Sequence, residues 1–140
     1  MIRAYRASDL EEVLDAWYTA SKVAHHFLDE DFLREERQRI ATEYLPVSET
    51  WVYEKDDKVV GFISLLENEV GGLFVHADHH RQGIGGELMD FAVKHKGTLI
   101  LDVFEENAIG RSFYEKYGFV KLGEVMDEEI GRNQFKMALL

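Results

Sequence analysis

Small and apolar residues recur at helical spacing through Leu10, Val13, Leu14, Trp17, Ser21 and Ala24, behind a Ser8-Asp9-Leu10-Glu11 stretch of capping-box form. The spacing predicts a helix over residues 9–25. A second, more polar helix is predicted over residues 29–44, with Phe32, Leu33, Glu36, Ile40 and Tyr44 on one stripe and Pro46 as its stop. The period then changes. Residues 50–54 and 58–66 read as strands joined by a tight Asp56-Asp57 turn, and residues 69–75 as a third strand after a turn at Asn68. Beyond Gly83 the helical stripe returns in Ile84, Leu88, Phe91 and Ala92, and Gly97 closes it. Residues 98–104 form a nearly continuous apolar run, which predicts a strand covered on both faces. Asn107 is placed to cap a helix ending at Tyr117 before Gly118, and residues 119–126 and 132–139 read as two closing strands.

The order is helix, helix, three strands, helix, strand, helix, two strands. It predicts an α/β (α+β) fold with a mixed, mostly antiparallel central sheet flanked by helices, not a doubly wound parallel sheet. With 140 residues the chain fits one domain, residues 1–140.

Charge narrows the partners. Asp and Glu number 27 against 16 Lys and Arg, a formal net charge of -11. Such a surface repels nucleic acid and anionic membranes and attracts cations, amines among them. With no cysteine, disulfides, thiolate metal sites and a cysteine nucleophile are all excluded. No signal-like apolar run opens the sequence, so a cytoplasmic protein is expected, monomer or homodimer.

The segment His80-Arg81-Gln82-Gly83-Ile84-Gly85-Gly86 joins a strand to a helix. Its glycines let the backbone approach a ligand, and the helix start adds unpaired N–H groups, so the turn can cradle phosphate without many cations. A Walker loop fails on spacing, since Glu87-Leu88 follows Gly86. A dinucleotide fingerprint fails too, because the run is Gly83-Ile84-Gly85-Gly86 and it follows an antiparallel region late in the chain.

The turn resembles the acetyl-CoA-binding signature of the GNAT acetyltransferase superfamily, Arg/Gln-x-x-Gly-x-Gly/Ala. Two further stretches extend the likeness. Leu73-Phe74-Val75 is similar to the strand that ends before the family's loop, and Asn107 through Tyr114 with Tyr117-Gly118-Phe119 is similar to its Asn-x-x-Ala-x-x-Phe-Tyr signature with a following Gly-Phe. The chain departs from the pattern at Ala77 (commonly proline), at His80 (Arg or Gln) and at Gly110 (alanine).

The resemblance implies transfer of an acetyl group from acetyl-CoA, as co-substrate and without a metal, to a primary amine. Acceptors in the family include protein lysines, protein N-termini and small amines, and the bacterial subgroup this chain resembles includes protein-lysine acetyltransferases. It implies cofactor contacts from Phe74, Val75, His80, Arg81, Gln82, Gly83, Ile84, Gly85, Gly86, Asn107 and Phe113. Tyr114 is implied as the general acid for the leaving thiolate, a role a phenol can fill, or else as packing. Val75 is implied as the oxyanion N–H. Glu69 is either the base or a solvated turn residue, and residues 69, 71, 73 and 75 are expected on one strand face. His25, His26 and Phe27 either wall the amine pocket or pack the junction between helices. His76, His79 and His80 have no second ligand cluster, so no metal is expected. A non-catalytic CoA-binding module on the same fold is the alternative.

Overall fold

The computed structural model describes residues 1–140. Its elements run β1 (Ile2–Ala4), α1 (Leu10–Ala24), α2 (Glu30–Arg39), β2 (Glu49–Lys55), β3 (Lys58–Leu66), β4 (Glu69–Val75), α3 (Ile84–Lys96), β5 (Leu99–Phe104), α4 (Ala108–Tyr117), β6 (Val120–Asp127) and β7 (Arg132–Leu139). The strands form a seven-stranded sheet in the order β1-β2-β3-β4-β5-β7-β6. Every pairing is antiparallel except β4 with β5.

Each face of the sheet carries its own core. Val13, Leu14, Ala16 and Trp17 of α1 and Leu33 of α2 pack on Val52, Val59 and Phe62. On the opposite face Ile84, Leu88, Met89 and Ala92 of α3 pack with Ile63, Leu65, Leu101, Val103 and Met137, and Phe113 and Tyr114 of α4 join them. Both stripes are those expected from the 3.6-residue period.

Four expectations need correction. Ile2–Ala4 is an edge strand, too short for any period to reveal; Arg3 pairs with Val52. Ser8 does not cap α1. Asp9 ends a 3-10 turn over Ala7–Asp9 and accepts from the Arg6 N–H at 2.8 Å while its carboxylate takes both terminal nitrogens of Arg3 at 2.8 and 2.9 Å. Pro46 does not stop α2: the regular helix ends at Arg39, widens into a π-turn over Ile40–Tyr44, and Pro46 sits inside a following 3-10 turn, Leu45–Val47. The fifth strand is covered on one face only. Leu99, Leu101 and Val103 are buried, whereas Ile100 is 42% exposed, because α1 and α2 cover only the β1 to β4 half of that side.

Local signals hold at the turns. Asp56 and Asp57 take φ of 53° and 62°, the hairpin conformation their type favours. Gly118 ends α4 at φ 124°.

Candidate active site

β4 and β5 pair only at Glu69 and Ile100, where the Ile100 N–H donates to Asn68 O at 3.0 Å. Beyond that rung the two strands diverge, and β4 keeps an unpaired edge. The His76 N–H donates to Val60 O at 2.8 Å, so by alternation the backbone groups of Val75 and Leu73 point away from β3 into the opening. A cleft of about 1160 Å³ runs through it, lined by β4, the glycine turn, α1, α2 and the start of α4.

The turn is held at one end. His80 Nε2 lies 2.7 Å from Val75 O, so the ring donates and fixes the loop to the strand. Thr19 Oγ1 accepts from the Ala77 N–H at 3.1 Å and His76 Nε2 meets Asp15 at 3.2 Å, which ties the loop to α1. Arg81 and Gly83 then take φ of 66° and 81°. This succession presents amides on one side. The N–H groups of residues 81–86 donate to no protein acceptor, and added Cβ atoms at Gly83 or Gly86 would meet nothing within 4 Å. Free amides at a helix start, with open space before them, fit a pyrophosphate. Gln82 turns its side chain to Lys55, 2.8 Å away, and does not line the cleft. Phe113 backs the turn, its Cε1 at 3.5 Å from where a Gly85 Cβ would be. Phe74, Val75, His80, Arg81, Ile84 and Gly85 all line the cleft.

Tyr114 lines the cleft opposite the free edge of β4. Burial pushes its phenol up to about 12, and no other group contributes to that shift. It therefore stays protonated, a donor. Asn107 accepts from the Gly110 N–H at 2.8 Å through Oδ1, as the cap reading requires, and its Nδ2 lies 3.3 Å from His25 Nε2. Burial, with a smaller effect of His26, lowers the His25 imidazole to about 4. His25 lines the cleft; Phe27 supports it edge-on at 5.8 Å, and His26 is exposed.

Glu69 does not share a face with Leu73 and Val75. A β-bulge opposite Ser64 and Leu65 inserts Gly71: Gly72 faces Ser64, Val70 faces Leu65 and Glu69 faces Leu66. The extra residue reverses the alternation and turns Glu69 to the α1 and α2 side of the sheet, with Gly72 and Phe74. There it lines the lower end of the cleft.

Sequence reasoning missed the acidic rim. Glu35 and Glu36 of α2, Asp127 at the end of β6 and Glu129 just beyond it also line the cleft. Burial raises the Glu36 carboxyl; Arg39 opposes that, and Glu129, Glu43 and Asp127 add to it. The Asp127-Glu128-Glu129 run was the one available signal.

A sheet splayed between two parallel strands, with a free-amide loop at the head of one and a helix-borne tyrosine opposite, defines an acyl-CoA-dependent transferase fold. Residues 46–121 match the family described as acetyltransferase (GNAT) domain. The chain belongs to the GNAT acetyltransferase family. It is 31% identical over 120 residues to the peptidyl-lysine N-acetyltransferase YiaC of Escherichia coli (strain K12), covering 85% of this chain and 82% of that protein. It is 30% identical over 132 residues to the peptidyl-lysine N-acetyltransferase YjaB of Salmonella typhimurium, covering 94% and 90%. The solution structure of apo-form YjaB from Escherichia coli superposes with a TM-score of 0.89 at 27% identity, covering 99% of this chain and 95% of that one. The expected fold and the expected acetyl-CoA-dependent N-acetyltransferase class both stand.

Proposed function

We propose that this protein acetylates the side-chain amine of a protein lysine, with acetyl-CoA and amine bound together and the amine attacking directly. The observation that carries the reading is the alignment along one cleft of three features: the uncommitted amides of residues 81–86, the free edge of β4 and the protonated Tyr114. Acetyl-CoA supplies the activated acyl group. The loop amides and the α3 dipole hold its pyrophosphate, and Asn107 and Phe113 line its arm. The Val75 N–H meets the negative charge that develops on the thioester oxygen. Tyr114 gives its proton to the departing sulfur.

The amine must arrive neutral, since an ammonium has no lone pair and a free lysine has a pKa near ~10.4. Glu69, turned by the bulge to the acceptor side, takes that proton directly or through water. The carboxylates at the rim favour a cationic acceptor, and two relatives named as peptidyl-lysine acetyltransferases support a protein lysine over a small amine. Direct attack agrees with a chain that has no cysteine to carry an acyl group.

The test is CoA release from acetyl-CoA with a panel of lysine peptides, N-terminal-amine peptides and polyamines, with products read by mass spectrometry. Acetyl-lysine with the peptides as the best acceptors is the expected result. Tight acetyl-CoA binding with no transfer to any amine would leave only a CoA-binding module.

A further inference from the structure

One half-buried imidazole in the cleft is used neither by the loop nor by the acyl-transfer chemistry. His25 is fixed by its own backbone: its N–H donates to Ser21 O at 2.7 Å and its carbonyl accepts from the Leu28 N–H at 3.0 Å. Its ring stands edge-on to Phe27, Phe74 and Phe104, with centroids 5.8, 6.4 and 5.2 Å away. It therefore sits between the diverging ends of β4 and β5. Among those rings a phenyl group would pack equally well and bury no polar atom. What the imidazole adds is one acceptor, Nε2, at 3.3 Å from Asn107 Nδ2.

The atom identities follow from who can donate. The Gly110 N–H only donates, so the Asn107 atom 2.8 Å from it is Oδ1 and the other is the amide nitrogen. That nitrogen only donates, so His25 Nε2 accepts and the ring proton is on Nδ1. Asn107 is thus held at both ends of its amide. One Nδ2 hydrogen goes to His25, and the second belongs to a buried residue that lines the cleft.

We infer that His25 is a positioning residue for the acyl donor: it fixes the Asn107 amide so that the second Nδ2 hydrogen is presented to an amide carbonyl of the pantetheine arm. The role rests on the proposed reading of the cleft as the acetyl-CoA site. His25 touches no reacting atom, so it acts on donor binding and not on the chemical step. It also fastens the end of α1 to the start of α4 across the opening, which no backbone pairing there does.

The experiment compares His25→Phe, which keeps the ring and removes the acceptor, with His25→Gln, which keeps an acceptor. Calorimetry gives the acetyl-CoA Kd, and steady-state kinetics separates KM from kcat. With His25→Phe, Kd and KM for acetyl-CoA should rise about 3- to 10-fold, the worth of one hydrogen bond, while kcat and the amine KM stay within about twofold. His25→Gln should recover most of the affinity. In an Asn107→Ala background His25→Phe should cost nothing further. Unchanged acetyl-CoA affinity in His25→Phe overturns the role of His25, and so does an effect confined to the amine KM. Native protein that binds no acetyl-CoA overturns the donor reading of the cleft instead. If His25→Phe fails to fold, Asn107→Ala decides: an unaltered acetyl-CoA Kd there ends the inference.

Discussion

A Cβ on Gly110 would stand 2.5 Å from Asn107 Nδ2 and 2.9 Å from its Cγ, so the glycine is what lets the Asn107 amide lie over the first turn of α4. Alanine at this position gains about 1 kcal/mol of helix propensity. It also dislodges Asn107, losing a cap worth about 1 kcal/mol and a hydrogen bond to His25 worth about 1 kcal/mol. Gly110→Ala is therefore expected to be no more stable than the native protein in thermal unfolding, and to bind acetyl-CoA several-fold more weakly.

Gly86 separates folding from binding. A Cβ there meets nothing within 4 Å and φ is ordinary for a helix, so Gly86→Ala should fold normally and gain slightly in Tm. On the proposed reading of the turn, the same methyl group enters open space that the pyrophosphate would use. Acetyl-CoA affinity is expected to fall about 10-fold or more, measured by calorimetry on a protein whose unfolding is unimpaired.

Tyr114→Phe removes the proton donor and leaves the ring packed against Phe113 and Phe119, at centroid distances of 5.5 and 5.6 Å. The expected loss in kcat is about 10²- to 10⁴-fold with acetyl-CoA Kd nearly unchanged. The sign of the burial effect sets the pH behaviour. A phenol raised to about 12 remains protonated where an ordinary one, at about 10, is half ionised. The native rate should therefore show no loss from phenolate formation up to about pH 10. A fall centred near pH 10 that Tyr114→Phe abolishes would count against a Tyr114 that stays protonated.

Glu69→Gln tests whether the bulge has a purpose. If Glu69 receives the amine proton, kcat at neutral pH should drop about 10²-fold while the acetyl-CoA Kd holds. Deleting Gly71 removes the extra residue but keeps Val70 opposite Leu65 and Glu69 opposite Leu66, so Glu69 stays on the α1 and α2 side and that variant should keep the Glu69-dependent rate. Equal rates for native protein and Glu69→Gln would remove Glu69 from the mechanism.

Asp9 is a stability element and not a site residue. The residue is 4% exposed. The hydrogen bonds from Arg3, opposed by burial and aided by the Arg6 N–H, hold its pKa below the ordinary carboxylate value. A lowered folded pKa means this stabilisation is complete above the unfolded pKa, near ~3.9, and is lost as pH falls through the folded value. Asp9→Asn should cost about 2–3 kcal/mol at neutral pH. The gap in chemical-denaturation stability between the two proteins should close below about pH 4.

The sequence by itself determined the order of the elements after β1, the turn chemistry and the family. Helix period, caps such as Asn107, stops such as Gly97 and Gly118, and the glycine turn are decided within a few residues of each position, where backbone geometry and local hydrogen bonding act. Tertiary structure decided the rest. The three-residue β1 exists only because β2 offers it an edge, and Ile100 is exposed because no helix covers that half of the sheet. Glu69 faces the α1 and α2 side because of a bulge that only the register with β3 reveals. His25 and Asn107 meet across 82 residues of chain. Contacts of that kind depend on how strands pair and helices dock, and no spacing along the chain encodes them.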